Sequence, residues 1–194
     1  MINWLLFYGL TVIGAYVIGS IPSGFVVARL CGIADIRCHG SGNIGATNVA
    51  RVLGKKFFAL VLLLDAGKAY GFLAFLAFLS APQELLCLSA LALLLGNSAS
   101  LFLRFSGGKG VATTVGCFLY LTPIIVLYAL VVWLIVLVLT RIVGAASIAA
   151  ALCAVFMGVS MFYKQNDPLA LTSVVMALWV ILLHKKNIQQ LLTK

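Results

Sequence analysis

Long apolar stretches alternate with short polar ones along almost the entire chain. Residues 2–28 contain no charged side chain and predict a first membrane-spanning helix. Within it, the run from Gly19 to Gly24, which includes Pro22, predicts a kink and a close approach of neighbouring helices. Four further apolar stretches predict spanning helices, over residues 57–79, 85–103, 142–163 and 169–183.

One uncharged stretch, residues 110–140, is too long for a single span. As one straight helix it would be about 46 Å long, whereas a bilayer hydrocarbon core is about 30 Å thick. A break near residues 121–123, at Pro123, gives a short helix followed by a full span, and it places Lys109, Arg141 and the basic C-terminal segment on one side. The positive-inside rule favours this division. We therefore predict an all-α membrane protein with about seven spans, its N-terminus outside and its C-terminus in the cytoplasm.

Composition agrees with this prediction and narrows the function. Hydrophobic residues make up 64% of the chain and charged residues 9%, which excludes a soluble domain. The net charge of +9 is explained mainly by positive-inside bias, so we predict no nucleic-acid partner. Cys31, Cys38 and His39 have no convincing fourth partner for a metal site, and we predict neither metal nor cofactor. No repeat, linker or signal peptide is evident, which indicates one domain over residues 1–194.

The first polar loop, residues 37–56, interrupts this apolar background. Gly40, Gly42 and Gly45 follow the spacing G-x-G-x-x-G, which lets backbone N–H groups converge on an anion. Residues 46–53 predict a short helix, so a phosphate above the glycines would lie at its positive end. Arg51, farther along this helix, can add a bidentate contact. The loop therefore predicts a phosphate-binding site.

Other interpretations of this loop are weaker. A dinucleotide site needs a preceding strand and an acidic residue about 20 positions later, but an apolar helix precedes the loop and Asp65 lies within another one. A cytoplasmic loop whose cations only orient the protein stays open as an alternative. The many Gly, Ser, Asn and Thr residues argue against it, because orientation requires only Lys and Arg.

The second glycine-rich loop, residues 104–110, reads R-F-S-G-G-K-G and is not a Walker A motif. On the predicted topology both loops and the C-terminal segment face the cytoplasm, where their cations suit an anionic ligand such as a phosphate. Attraction of these cations to anionic lipid headgroups is the alternative. Lipid attraction explains Lys55 and Lys56 better than it explains Lys109, which lies between two glycines.

Groups for conventional catalysis are scarce. Asp65 and Lys68 lie three residues apart inside a predicted span, where a structural ion pair is the first interpretation and a substrate contact the second. Neither His39 nor His184 begins the H-x-x-x-x-D pattern of common glycerolipid acyltransferases. A reaction here would depend on a reactive substrate, on positioning and on electrostatic stabilisation.

Five motifs in this order resemble one known family. They are G-S-G-N-I-G-A-T-N-V-A-R, D-x-x-K, F-S-G-G-K-G-V-A-T, R-I-V-x-x-x-S-I and H-K-K-N-I, and together they cover nearly the whole chain. The chain resembles the bacterial acyl-phosphate-dependent glycerol-3-phosphate acyltransferases. The resemblance implies a seven-helix inner-membrane enzyme, in contact with membrane lipids, that works as a monomer. It would transfer an acyl group from acyl phosphate to the sn-1 hydroxyl of glycerol 3-phosphate, giving lysophosphatidic acid and phosphate.

The resemblance also implies site residues. The phosphate cradle would comprise Ser41, Gly42, Asn43, Gly45, Thr47 and Asn48, and the polar pocket around the substrates would comprise Arg51, Lys109, Ser147, His184 and Asn187. Ser41, Lys109 and His184 are the catalytic candidates. The chain departs from the family where an upstream histidine is replaced by Asn97, and where Lys185 follows His184 in place of an arginine.

Two other functions stay open at this stage. A transporter of phosphate or phosphate esters would need a polar path across the bilayer, and the chain offers only Asp65 and Lys68 as deep charges. A different enzyme acting on lipid headgroups would share the anion pocket. For the acyltransferase we predict no acyl-enzyme and no essential protein base: the substrate hydroxyl would lose its proton to a phosphate oxygen.

Overall fold

The computed structural model describes residues 4–193, and its regular structure over that range is helical. Two short 3-10 segments, Ile36–Cys38 and Leu101–Leu103, lie in the loops. The α-helices described are α1 (Trp4–Ser20), α2 (Ser23–Leu30), α3 (Ala46–Leu53), α4 (Lys56–Phe78), α5 (Gln83–Ser98), α6 (Val111–Leu121), α7 (Pro123–Thr140), α8 (Val143–Gln165), α9 (Pro168–Leu183) and α10 (Lys185–Leu192).

The predicted kink in the first helix is confirmed as a break between α1 and α2 at Ile21 and Pro22. Proline has no N–H group to continue the helical hydrogen bonds. The predicted close approach is also present at Gly19, where a Cβ would overlap the backbone of Leu93 in α5. Gly96 makes the reciprocal approach toward α1, so these two helices pack backbone against backbone.

The predicted division of the long uncharged stretch is confirmed. Helix α6 ends at Leu121 and α7 begins at Pro123, the first position of a helix, where proline is favoured. Helix α6 has 11 residues, which agrees with the short fourth helix that the sequence predicts.

The predicted span over residues 85–103 is confirmed as a segment, Gln83–Leu103, that is long and apolar enough to cross a membrane, but the α-helix within it ends at Ser98. After the helix ends, the Ala99 carbonyl accepts a hydrogen bond from the Tyr16 hydroxyl (2.7 Å), and the Ser100 hydroxyl donates to the Ser20 carbonyl (2.6 Å). The first contact uses a backbone carbonyl that a continuing helix would need for itself, and the second ties the Ser100 side chain to the last residue of α1. The end of α5 is therefore fixed to the end of α1.

Five described helical segments are long and apolar enough to cross a membrane, and a sixth results if α9 and α10, bent by 56°, count as one. The predicted count of seven is not confirmed by length. Helices α6 and α9, with 11 and 16 residues, would be about 16 and 24 Å long, short of a core about 30 Å thick. Helix α10, which follows the bend at His184, was not predicted. Its apolar residues at 188, 191 and 192 have helical spacing and could have indicated a helix in this polar segment.

Contacts within the chain divide it into two compact units, Met1–Gly116 (unit 1) and Cys117–Lys194 (unit 2). In unit 1, α1 packs on α5, and α3 packs on α4. A buried cluster that includes Val27, Ile36, Ile44, Val49 and Val61 lies beneath the first polar loop and joins it to α2, α3 and α4. In unit 2, α8 packs between α7 and α9.

Candidate functional site

The first polar loop is folded around one side chain, Asn48 in α3. This side chain is 1% exposed, and its Oδ1 accepts a hydrogen bond from the backbone N–H of Ser41 (2.7 Å). Its Nδ2 donates to the carbonyls of His39 (2.9 Å) and Asn43 (2.8 Å). The buried Asn48 amide therefore holds the backbone of the predicted phosphate cradle in place through hydrogen bonds to three of its residues.

Two glycines allow this loop to close. Gly40 and Gly42 have φ angles of +58° and +73°, in the left-handed region that glycine adopts without strain. A Cβ on Gly40 would also overlap Asn48 Oδ1. The Ser41 side chain between them is exposed, which leaves its hydroxyl on the outer surface of the loop. The left-handed φ angles show that the loop backbone needs glycine at both positions, while the N–H of Gly42 donates to the carbonyl of His39 within the loop. The predicted convergence of N–H groups on an anion stays a prediction.

Helix α3 starts at the end of this loop, as predicted. Asn43 Oδ1 accepts from the N–H of Gly45 (3.1 Å), the residue that precedes the first turn, and Thr47 is half-buried within that turn. Gly45 has no side chain to occupy the positive end of the helix. Arg51, one turn farther along, is exposed, and its Nη1 lies 3.4 Å from Asn48 Oδ1. A guanidinium group and a helix N-terminus thus border the same loop.

The second glycine-rich loop lies against the first. The N–H of Gly108 donates to the carbonyl of Asn97 at the end of α5 (2.9 Å). A methyl group built on Gly108 would lie 3.5 Å from Ile44 Cγ1 and 3.8 Å from Asn43 Oδ1, both in the first polar loop. Lys109, the next residue, is half-buried. The structure therefore brings Gly108, the residue before Lys109, against Asn43 and Ile44 of the first polar loop, whereas the sequence places the two loops only on the same side of the membrane.

The predicted ion pair between Asp65 and Lys68 is confirmed, with Lys68 Nζ 2.8 Å from Asp65 Oδ1. The two side chains are 11% and 9% exposed, respectively. Lys68 Nζ also donates to the carbonyl of Ile21 (2.6 Å) and lies 3.4 Å from Asn97 Oδ1. These additional contacts were not predicted, because sequence spacing identifies partners on one helix only.

Arg37, one of the cations predicted to serve an anionic ligand, is paired with Asp35. Arg37 Nη2 lies 2.6 Å from Asp35 Oδ2, and the guanidinium stands 5.6 Å from the centre of the Phe25 ring. The side-chain and then the backbone hydrogen bonds from Arg37 lower the pKa of Asp35 from 3.8 to about 2. The charge of Arg37 is therefore balanced within the loop, unlike that of Arg51 in α3.

In unit 2, His184 ends α9 and is 2% exposed. Its Nδ1 lies 2.8 Å from the carbonyl of Val180. Since a carbonyl only accepts, Nδ1 carries the hydrogen, and in the neutral ring Nε2 is the basic nitrogen. His184 therefore donates from Nδ1 to a carbonyl of the last turn of α9.

The other predicted residues of unit 2 lie on α8 and α10. A Cβ on Gly144 of α8 would lie 2.5 Å from Asn187 Nδ2, so these residues are in close contact. Ser147, one turn farther along α8, is 6% exposed, and its Oγ accepts from Trp133 Nε1 (3.3 Å). Trp133 was missed, because nothing in an apolar helix distinguishes one indole as the partner of a serine in the next helix.

A metal site does not emerge from the described part of the chain: within residues 4–193 no three His, Cys, Asp or Glu side chains lie close enough together to hold an ion. Cys31 and Cys38, weighed as ligands above, are both exposed and free.

Comparison with known proteins gives a consistent result. A family model described as glycerol-3-phosphate acyltransferase matches residues 9–194. A glycerol-3-phosphate acyltransferase of Geotalea daltonii is 41% identical, over 93% of this chain and 91% of that protein. One of Syntrophotalea carbinolica is 42% identical over the same shares.

Solved structures agree in fold. The glycerol 3-phosphate form of PlsY (YgiH), an integral membrane glycerol 3-phosphate acyltransferase, superimposes with a TM-score of 0.86 at 37% identity, over 96% of this chain and 92% of that one. The lysophosphatidic acid form of PlsY gives a TM-score of 0.83 at 34% identity, over the same shares. The order of motifs, the apolar helices and these matches together show that the chain belongs to the glycerol-3-phosphate acyltransferase family of multi-pass integral membrane enzymes.

Proposed function

We propose that the chain transfers an acyl group from acyl phosphate to the sn-1 hydroxyl of glycerol 3-phosphate, releasing lysophosphatidic acid and inorganic phosphate. The observation that supports this most is the contact between the two glycine-rich loops at Gly108. Gly108 directly precedes Lys109, and a cation near the N-terminus of a helix suits a phosphate.

The choice of acyl phosphate as the acyl donor follows from the positive charge of the site. An acyl phosphate is a mixed anhydride whose leaving group is phosphate, so a site that binds phosphate more tightly as it departs lowers the barrier to transfer. Lys109, Arg51 and the N-terminal end of α3 provide positive charge of this kind. Membership of an acyltransferase family argues against the transporter, which would need a polar path through the membrane.

We propose direct transfer between the two substrates. The sn-1 oxygen attacks the acyl carbon, its proton passes to a phosphate oxygen, and the bond from the acyl carbon to the phosphate oxygen breaks. Ser41 would donate a hydrogen bond to phosphate rather than act as a nucleophile, since nucleophilic serine requires an adjacent base. For His184, whose Nδ1 donates a hydrogen bond to the carbonyl of Val180, we propose a role in orienting substrate.

An apolar groove in unit 1 suits the acyl chain. It has a volume of about 460 Å³ and is lined mainly by α2 and the 3-10 segment Leu101–Leu103, with Phe25, Phe102 and Arg29 among its lining residues. An apolar groove with one cation in its lining matches a fatty acyl chain attached to a phosphate. Gly24 in the same helix α2 lies against the backbone of Ile44, so the groove and the first polar loop share a wall.

The remaining parts of the proposal concern the membrane topology, further substrate contacts and the oligomeric state. We propose that α6 and α9 complete a set of seven spans, with the N-terminus outside, the C-terminus in the cytoplasm and the reaction at the cytoplasmic face of the bacterial inner membrane. Ser147 and Asn187 in unit 2 are proposed as substrate contacts, and the enzyme as a monomer without a cofactor.

A donor comparison tests the proposed function. The purified protein receives glycerol 3-phosphate with palmitoyl phosphate, palmitoyl-CoA or palmitoyl-acyl carrier protein, and the lysophosphatidic acid formed is measured. We expect turnover with palmitoyl phosphate and little or none with the others. Turnover with palmitoyl-CoA alone would show that the donor is wrong, and entry of unmodified glycerol 3-phosphate into proteoliposomes would favour transport.

A further inference from the structure

Lys68 makes more contacts than an ion pair requires. Its ammonium group donates to three acceptors, Asp65 Oδ1 (2.8 Å), the carbonyl of Ile21 (2.6 Å) and Asn97 Oδ1 (3.4 Å). These acceptors belong to α4, to the break between α1 and α2, and to the end of α5. Neutralising Asp65 needs only the first contact, so the other two call for a separate explanation.

The contact with Ile21 stabilises the break. The last carbonyls of a helix have no partner within it, and the negative end of the helix dipole favours a cation. Pro22 cannot donate a hydrogen bond to help. Lys68 supplies both a donor and a charge at this position, and it is therefore held between the break and Asp65 with little freedom to move.

The contact with Asn97 fixes the direction of the asparagine amide. An ammonium group only donates, so Asn97 must present Oδ1 to Lys68 and direct Nδ2 the other way. Nδ2 lies 3.4 Å from the Cβ position of Gly108 and 3.9 Å from that of Gly110, the residues on either side of Lys109. The carbonyl of Asn97 also accepts from the N–H of Gly108 (2.9 Å). The loop around Lys109 thus rests on a residue that Lys68 orients.

We propose that Lys68 is a positioning residue for the second glycine-rich loop, which it holds through Asn97 so that Lys109 stays beside the first polar loop. Asp65 holds the ammonium group of Lys68 in place. This inference rests on the proposed function, in which Lys109 contacts a substrate phosphate.

A double-mutant cycle tests the positioning role. Initial rates are measured for the wild type, Lys68→Met, Lys109→Ala and the double variant, as full-length protein with palmitoyl phosphate and glycerol 3-phosphate. Methionine keeps the length of the side chain and removes its donors. We expect Lys68→Met to lower kcat/KM about 10-fold, through the same constant, kcat or KM, that Lys109→Ala changes. In the Lys109→Ala background we expect Lys68→Met to cost no more than about a further 2-fold.

The control is Lys164→Met, which removes an exposed lysine at the end of α8 and should leave the kinetics unchanged. A purely structural role for Lys68 would lower the amount of folded enzyme equally in both backgrounds. Independent, multiplying losses would therefore overturn the proposal, and so would wild-type kinetics in folded Lys68→Met.

A second variant covers the case in which Lys68→Met does not fold because Asp65 is left without its partner. Asn97→Leu leaves the ion pair intact and removes the side-chain link between Lys68 and the loop, while the backbone hydrogen bond from Gly108 remains. It should show the same loss, and the same dependence on Lys109, while wild-type kinetics in this variant would overturn the proposal. An inactive wild type would contradict the proposed function itself, whereas an active wild type with unaffected variants contradicts only the positioning role.

Discussion

Neighbouring glycines in the second glycine-rich loop are predicted to differ in how much stability they lose on substitution by alanine. A Cβ on Gly107 would overlap the carbonyl of Asn97 and the backbone of Ser98. A Cβ on Gly108 would meet Asn97 Nδ2 at 3.4 Å and Ile44 Cγ1 at 3.5 Å, which are ordinary van der Waals distances. Neither residue lies in the left-handed region of φ, so the backbone conformation does not distinguish them.

The difference in stability between Gly107→Ala and Gly108→Ala can be estimated. Replacing glycine by alanine reduces the entropy of the unfolded chain by the same amount at both positions, so that contribution cancels in the comparison. What remains is the overlap at Gly107 with backbone atoms, which cannot rotate away as a side chain can. Overpacking of this kind costs about 1–3 kcal/mol. For a chain of this length it corresponds to a melting temperature roughly 2–12 °C lower for Gly107→Ala than for Gly108→Ala.

Thermal unfolding in one detergent measures this difference. Cys87 and Cys117 are buried, so their reaction with a thiol-reactive dye reports unfolding above the signal of the exposed Cys31 and Cys38. We expect Gly108→Ala to melt within a degree or two of the wild type and Gly107→Ala several degrees lower. Equal melting temperatures for the two variants, or a lower one for Gly108→Ala, would refute the placement of this loop on the end of α5.

Three further predictions test other parts of the account. Arg51→Ala and Lys109→Ala should each remain folded and lose about 10- to 150-fold in kcat/KM, which corresponds to the loss of one charge-assisted hydrogen bond worth about 1.5–3 kcal/mol. Near-normal kinetics in either variant would show that the residue is not part of the site. Arg37→Met should return the pKa of Asp35 from about 2 toward 3.8 in a carboxyl-carbon NMR titration. Because the folded pKa is lowered, the contribution of this carboxylate to stability is present above about pH 4 and is lost as the pH falls toward 2, so wild type and Asp35→Asn should converge there. A reporter that is active only in the cytoplasm should be active when fused to the C-terminus, and an inactive fusion would contradict the proposed orientation.

Features that depend on local sequence were predictable. Pro22 and Pro123 lack an N–H group, and the helices break or begin at both. Helix α3 has the predicted bounds, because Gly45 and Gly54 bracket a helix-forming run. The pairing of Asp65 with Lys68 follows from their spacing on one helix and from the cost of isolated charges in a membrane.

Features that depend on contacts between distant segments were not predictable. The sequence indicates that Asn48 belongs to a phosphate loop, but not that its amide is engaged by Ser41, His39 and Asn43 beneath that loop. Nor does it indicate that α5 ends at Ser98, because the cause is hydrogen bonding to α1. Those interactions join residues about 80 positions apart, beyond the reach of periodicity or motif spacing.

The most direct test of the central claim, direct transfer between two bound substrates, is the order of phosphate release. Purified protein is mixed with palmitoyl phosphate, phosphate is followed against a protein-free blank, and glycerol 3-phosphate is added later. The account predicts no release above the blank before the addition, followed by equal amounts of phosphate and lysophosphatidic acid. A burst of about one phosphate per enzyme before the addition, with a palmitoyl group on Ser41 or a cysteine by mass spectrometry, would contradict it.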